Sequence, residues 1–371
     1  MARSDWDDQS NCHRRNIDFI YFTGDIVDHK VWDTSVDRNT RVIVDVMNLL
    51  SGAFRSIPIY PTLGNHETHP VNAFSPSTIT GRLSTQWVFD LMRTEWRKWL
   101  PSATQGTISE GGYYTVLVQP GFRIIALNSN VCFSYNWWLL YDDVDPYDQL
   151  RWLVLVLFKA ERNNEIVHIL SHVPTADGTC LQNWSREFFK IILRFSHIIA
   201  AQFNGHTHAK ENIIYYEGND LSNPINVAFN GGSLTPYSDF NPNYVVYDVN
   251  RLNFEVMDYE MWIYDISESN LHPNRPMRWF KLYSFTDAYK VDRITPHRMN
   301  ELVQNMTRDC NLSNQYFRLK FRDAEVSTSK GCNRDCVTEN VCYMVTPYYK
   351  HVDQCNLLKE SLDINYNCNF Q

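Results

Sequence analysis

Four apolar, strand-like runs of this chain each stop on residues that can hold a metal ion, and no other feature constrains the fold as much. Ile17 to Phe22 leads into Thr23-Gly24-Asp25, and Ile57 to Thr62 into Leu63-Gly64-Asn65-His66-Glu67. Ile166 to Leu170 leads into Ser171-His172, and Ile198 to Phe203 into Asn204-Gly205-His206-Thr207-His208. Taken singly each is ordinary: Gly and Asn are turn residues that tolerate positive φ, and a lone His such as His168 or His197 sits in a core or on a surface. Together, Asp, Asn-His, His and His-x-His at successive strand ends describe an open α/β sheet whose strand termini converge on one site.

The segments between these runs fit that architecture. Arg38 to Leu50 reads as a helix with Val42, Val46 and Leu49 on one stripe, completing a β-α-β unit. Leu83, Trp87, Leu91 and Trp99 keep helical spacing, for which core packing is the ordinary explanation. Gly112 to Val118 and Arg123 to Asn128 flank Pro120-Gly121 as a hairpin. Asp145-Pro146 opens a helix in the favoured N-cap and N1 arrangement, running to about Arg162, and another helix spans about Ser185 to Arg194. Strands follow at Ile213 to Tyr216, Ile225 to Phe229, Tyr244 to Asp248 and Phe254 to Tyr264, where sheet formation is expected to end. From Trp279 onward the pattern turns helical, with Pro296 to Met306 and Asn311 to Lys320 as the candidates.

With 371 residues the chain can bury a sizeable core, so a large catalytic domain with a smaller appendage is the expected organisation. The net charge of -8 is spread without long runs, which excludes a dedicated nucleic-acid binder. Of nine cysteines, Cys332, Cys336, Cys342, Cys355 and Cys368 crowd a loop-rich tail, where paired bridges are the economical reading. A zinc knuckle on Cys332, Cys336 and Cys342 is the alternative, without a His at finger spacing. Sequons at Asn183, Asn305 and Asn311 agree with an oxidising compartment. Met1 to Asp8 contains no apolar signal region, so either upstream residues are missing here or the chain is retained in the cell with reduced thiols; we favour truncation, with Cys12 having lost an upstream partner.

Hydrolysing a phosphodiester needs charge neutralisation on the phosphoryl oxygens, hydroxide at ambient pH and a proton for the leaving alkoxide; a two-metal site supplies the first two. Asp25 could bridge two ions. Asn65 offers an amide oxygen, and His172, His206 and His208 offer imidazole nitrogens, a mixed set suited to zinc, iron or manganese. In His206-Thr207-His208, the i, i+2 spacing on an extended segment would aim both rings to one side, one for each ion.

On these blocks the chain resembles the calcineurin-like metallophosphoesterases, and among them the acid sphingomyelinase and sphingomyelinase-like phosphodiesterases. The likeness lies in Gly24 to Trp32, Tyr60 to Glu67, Pro70-Val71-Asn72, Asn136 to Leu140, Ala201 to His208 and Asn241 to Tyr244. It implies an α/β (α+β) fold, a four-layer α/β/β/α sandwich with a small helical, disulfide-bonded C-terminal subdomain. The expected divisions are a remnant over 1–16, the metallophosphoesterase domain over 17–265 and the Cys-rich subdomain over 266–371. The resemblance makes Asp25 the bridging ligand, places Asn65, His172 and His206 on one zinc and His208 on the other, and gives proton donation or phosphate steadying to His66 and His29. It puts Tyr237 and Asn72 on the substrate side, and pairs Cys132 with Cys180, Cys332 with Cys336 and Cys342 with Cys355. Cys12, Cys310 and Cys368 stay unassigned.

The family's Asp-x-His block has no counterpart in this sequence, nor has its saposin domain, so one well-formed zinc site is expected and this chain alone should be nearly inert. The resulting expectation is a secreted or lysosomal, monomeric sphingomyelin phosphodiesterase that meets a membrane surface transiently and binds no nucleic acid. The alternatives are a phosphodiesterase of nucleotide or choline-nucleotide esters, and a catalytically impaired binding or decoy homologue.

Overall fold

The computed structural model describes residues 17–142, 144–176, 178–276 and 278–365. Cys12, Cys368 and the 1–16 remnant lie outside them. The described residues form two compact units, one of Phe19–His206 with Pro347–His351, the other of 17–18, Thr207–Thr346 and 352–365.

In the first unit, β1 (Ile20–Phe22) pairs in parallel with β2 (Ile59–Pro61), joined by helix α1 (Val36–Ala53). Ser35 caps α1 by accepting a hydrogen bond from the Arg38 N–H. The expected stripe is one residue off: the buried face is Asn39, Ile43 and Met47, while Leu49 is 69% exposed. Asn39 hid this face from an apolar pattern because it is polar. It is buried because its Nδ2 donates to the carbonyls of Glu67 and Thr68, which ties α1 to the loop after β2. The same correction applies to α2 (Gln86–Glu95), whose buried face is Val88, Phe89 and Met92; Leu83 lies in the preceding 3-10 turn and is exposed.

Strand β3 (Tyr114–Gln119) forms the expected antiparallel hairpin with β4 (Phe122–Ala126). Strand β4 pairs in parallel with β5 (Ile166–Leu170), and β5 with β6 (Ile199–Asn204), so β4, β5 and β6 end on the same side. The crossovers are α3 (Gln149–Arg162) and α4 (Gln182–Phe195). The helix expected from Pro146 starts later, because Tyr147 and Asp148 have positive φ and break the run. Asp145 still caps it, its carboxylate accepting from the N–H groups of Leu150 and Arg151.

The second unit holds the antiparallel pair β7 (Asn212–Tyr216) and β8 (Pro224–Asn230), and a three-stranded sheet of β9 (Asn243–Val249), β10 (Val256–Tyr264) and β11 (Trp279–Ser284). Strand β11 corrects the expectation that sheet formation ends near Tyr264. Its neighbours supply what the local pattern lacked: Trp279 meets Tyr264 and Tyr244 at ring-centroid distances of 5.9 and 5.3 Å, and Lys281 pairs with Glu260 at 3.0 Å. Helices α5 (Pro296–Met306), α6 (Cys310–Lys320), α7 (Arg334–Val345) and α8 (Asp353–Asn365) follow. Cys332 is bonded to Cys336 and Cys342 to Cys355, while Cys132 and Cys180 are bonded in the first unit. Cys310 is also in a disulfide. No helix among the described residues is long and apolar enough to cross a membrane.

Candidate metal centre

Asp25, Asn65, His172 and His206 each follow the end of a strand in the first unit, and the loops after β1 and β2 approach so closely that only glycine fits between them. Gly24 has φ +91°, and a Cβ there would lie 2.4 Å from the Gly64 nitrogen; a Cβ on Gly64 would lie 2.1 Å from Asp25 Oδ1. Glu67, buried, clamps the two loops together by accepting from the N–H groups of Ile26 and Gly64, both at 2.5 Å.

Four side-chain atoms then converge. His172 Nε2 lies 3.0 Å from Asp25 Oδ2 and 3.0 Å from Asn65 Oδ1. His206 Nδ1 lies 3.0 Å from Asn65 Oδ1 and 3.3 Å from His172 Nε2. The ligand atoms of Asp25, His172 and His206 all fall within 4.8 Å of one another. Their surroundings aim them inward. His172 Nδ1 is 2.6 Å from the Thr23 carbonyl, which can only accept, so Nδ1 carries the hydrogen and Nε2 presents its lone pair. Asn65 Nδ2 donates to Asn72 Oδ1, turning Asn65 Oδ1 toward the cluster. Ser129 Oγ, after β4, accepts from the N–H groups of His172 and Val173 and fixes the third loop.

Crowding acceptors within hydrogen-bond distance calls for a positive charge among them. Burial pushes the Asp25 carboxyl up, but the charge and hydrogen bond of His172, with help from His66, outweigh it and hold the group well below the usual range. Burial likewise pushes His172 down, and Asp25 and Glu67 more than reverse this. A proton on His172 Nε2 and a metal ion therefore compete for one place, and the donor set fits a divalent ion in charge and chemistry. Glu67 is pushed up to about 6 by burial and by the Asp25 charge.

His66 and His29 stand as a pair, with ring centroids 4.3 Å apart. The His66 N–H donates to Asp25 Oδ1 at 3.1 Å, and its Nδ1 lies 3.2 Å from the Asp28 carbonyl. Burial, then the neighbouring His66, lower the His29 pKa, favouring its neutral form. Asn72 hydrogen-bonds Asn65 through both side chain and backbone N–H, so within the described residues its contacts are to a ligand.

The remaining expected residues lie in the second unit. His208 Nδ1 is 3.0 Å from Ser238 Oγ, and the Tyr237 ring stands edge-on to it at 6.4 Å. His206 and His208 have φ of 72° and 60°, so the segment between them is not extended, and the argument from i, i+2 spacing does not hold. Sequence reasoning also missed Arg322. Fully buried, it donates to the His208 carbonyl and, at 2.5 Å, to the Asn241 carbonyl, bolting the His208 backbone in place from 114 residues away. No local signal marks it, since an Arg in a polar stretch ordinarily reads as surface. Glu67 was legible as the last residue of its block, without a role. The sequon residues Asn183, Asn305 and Asn311 are all exposed.

A family model for calcineurin-like phosphoesterases matches residues 6–210, and one for the acid sphingomyelin phosphodiesterase C-terminal region matches 223–360. A Bos taurus protein named sphingomyelin phosphodiesterase is 35% identical over 330 residues, covering 88% of this chain and 52% of the relative. Its Homo sapiens counterpart is 36% identical over 330 residues, covering 88% and 51%. The Mus musculus protein named cyclic GMP-AMP phosphodiesterase SMPDL3A is 28% identical over 361 residues, covering 93% and 78%. The chain thus spans about half the length of the two sphingomyelin phosphodiesterases.

Proposed function

Because the chain belongs to the calcineurin-like phosphoesterases, we propose that it is a metal-dependent phosphodiesterase that hydrolyses sphingomyelin to ceramide and phosphocholine. The observation that carries this reading is the convergence of Asp25 Oδ2, Asn65 Oδ1, His172 Nε2 and His206 Nδ1 at the ends of successive strands. A carboxylate, an amide and two imidazoles suit zinc, iron or manganese; zinc is the choice that follows the resemblance. His208 enters as ligand of a second ion on the resemblance alone. Divalent ions, when bound, supply charge neutralisation for the phosphoryl oxygens and a source of hydroxide.

The chain's own residues do the rest. Thr23, Asn72 and Ser129 hold the ligands in orientation, and either His66 or His29, in its protonated form, supplies the proton that the leaving ceramide alkoxide takes up as the ester oxygen departs. Tyr237, which is exposed, enters as a substrate-side residue on the resemblance alone. We keep 17–265 as the catalytic portion, since every residue in these roles lies within it, and 266–371 as its supporting subdomain. The disulfides and exposed sequons support a secreted or lysosomal, glycosylated protein that works as a monomer and meets membrane lipid transiently, without nucleic acid.

A second reading, a phosphodiesterase of soluble nucleotide or choline-nucleotide esters, is favoured by the mouse relative, of which the chain covers the larger share. The test compares kcat/KM on sphingomyelin in detergent micelles and on a cyclic dinucleotide, with the ions supplied and an upstream Asp-x-His segment joined to the chain. Sphingomyelin should win; a clear preference for the nucleotide moves the assignment to the second reading. In the same protein, His66→Ala and His29→Ala should slow esters with poor leaving groups more than those with good ones, because only poor ones depend on the acid. Equal slowing would make phosphate binding their role.

A further inference from the structure

Large apolar side chains that point out of the metal-bearing unit gather on one loop. Tyr135, Trp137, Leu140 and Tyr141 are 60%, 76%, 92% and 69% exposed, four within seven residues. Single exposed apolar residues are normal, but a concentration of Trp, Tyr and Leu at such exposure marks a surface made to be covered.

The loop is built rather than loose. Its base is stapled by Cys132–Cys180 and by the Ser134 N–H donating to the Thr179 carbonyl at 2.7 Å. Asn136, buried, accepts from the Phe74 N–H and donates to the carbonyls of Phe74 and Asn130, and Leu139 is buried beneath the turn Trp137–Leu140. Holding Trp137 and Leu140 out in water in this way costs free energy unless something covers them.

We propose that the 135–141 loop docks this chain on a zwitterionic lipid surface, Trp137 and Leu140 entering the acyl boundary and Tyr135 and Tyr141 resting among the headgroups. Amphipathic rings at headgroup level with aliphatic chains below them form the pattern of interfacial anchoring. Charge selects the lipid. From Ile124 to Leu150 there is no Lys or Arg, while Asp142, Asp143, Asp145 and Asp148 follow the apolar stretch. Anionic membranes attract basic segments and repel this one, leaving choline headgroups as the matching surface. The loop is also continuous with the candidate site: the Tyr135 ring packs on Phe133 at 5.2 Å, and Phe133 stands edge-on to His206 at 4.9 Å. Docking here would bring a headgroup toward the metal centre, so the proposal rests on the phosphodiesterase reading for its choice of substrate lipid.

The experiment is flotation of the protein with vesicles of phosphatidylcholine and sphingomyelin, and with the same vesicles doped with phosphatidylserine. Trp137→Ser and Leu140→Ser should each lower partitioning about tenfold, and the pair should abolish it, while phosphatidylserine should not raise it. Leu49→Ser, which removes an exposed leucine from α1, away from the loop, should change nothing. Melting curves matching the unaltered protein confirm that the variants are folded. Unaltered protein that fails to float, variants that float as well as it does, or binding that needs phosphatidylserine and vanishes in salt would each overturn the proposal. So would variants that lose only self-association in the ultracentrifuge, since the loop would then meet a second copy. Flotation does not require turnover, so the two readings separate in the protein with the upstream Asp-x-His segment joined and the ions supplied: loop-dependent binding without sphingomyelin hydrolysis there defeats the function proposed above, and sphingomyelin hydrolysis without loop-dependent binding defeats this one.

Discussion

Replacing Gly64 by alanine should disable the candidate metal centre while leaving its ligands in the sequence. A Cβ at that position would lie 2.1 Å from Asp25 Oδ1, 2.3 Å from the Asp25 nitrogen and 2.8 Å from its Cγ. Non-bonded carbon contacts settle at about 3.5–4.0 Å, so Asp25 or its loop must retreat by roughly 1 Å or more. Overpacking alone costs about 1–3 kcal/mol. The retreat also breaks the 3.0 Å contact between Asp25 Oδ2 and His172 Nε2, and losing a hydrogen bond to a charged group adds about 1.5–3 kcal/mol. We therefore expect a loss of roughly 3 kcal/mol or more in stability. Disturbing residues that merely orient metal ligands weakens binding about 10–100-fold, and displacing a ligand should do at least as much. Competitive chelator titration with zinc or manganese measures the affinity, and thermal unfolding without metal measures the stability. Gly52→Ala is the matched control: nothing lies within 4 Å of a Cβ there, and the residue is inside α1, so it should be neutral or stabilise by up to about 1 kcal/mol. Should Gly64→Ala bind metal as tightly as the unaltered protein, or Gly52→Ala prove equally damaging, the close approach of the two loops is not what assembles the site.

Two further predictions concern the second unit. Lys210 is 2% exposed, its Nζ 4.2 Å from the centre of the Tyr259 ring, and burial, partly offset by Glu211, pushes its pKa down to about 7. Between pH 7 and 10.5 the unfolded chain holds a proton that the folded chain releases, so this group makes stability rise with pH across that window and weighs on it fully below. Lys210→Met should thus stabilise the protein at pH 6 by up to about 5 kcal/mol, at about 1.4 kcal/mol per tenfold change in protonation, and by little at pH 10; equal effects on urea midpoints at both would refute it. Arg322→Ala leaves the buried His208 and Asn241 carbonyls short of a donor, each costing about 1–3 kcal/mol. The urea midpoint should fall accordingly and recover only in part in Arg322→Lys, which cannot reach both carbonyls in one plane; full recovery would mean that a charge at that place suffices.

The ordering of ligand residues at strand ends was decided by the sequence alone, because a strand is a local object: a few β-branched and aromatic residues stop at a Gly-Asp or Gly-Asn-His, and the stop is visible wherever the strand later pairs. Ile166–Leu170 and Pro296–Met306 were legible to the residue for the same reason, one as a mostly apolar run broken by His168 alone, the other as a helical pattern opening at a proline. Only tertiary structure decided which face of a helix is buried. Asn39 is inside because Glu67 and Thr68 offer it carbonyls, and Leu49 is outside although its spacing fits. Strand β11 exists because β10 offers an open ladder and aromatic neighbours, neither of which lies nearby in the chain. The clamp by Glu67, the proton fixed on His172 by the Thr23 carbonyl and the reach of Arg322 to His208 are likewise meetings of residues 41, 149 and 114 positions apart. Residue types and their order announce what can bind a metal, but orientation, protonation and burial belong to the contacts that folding creates.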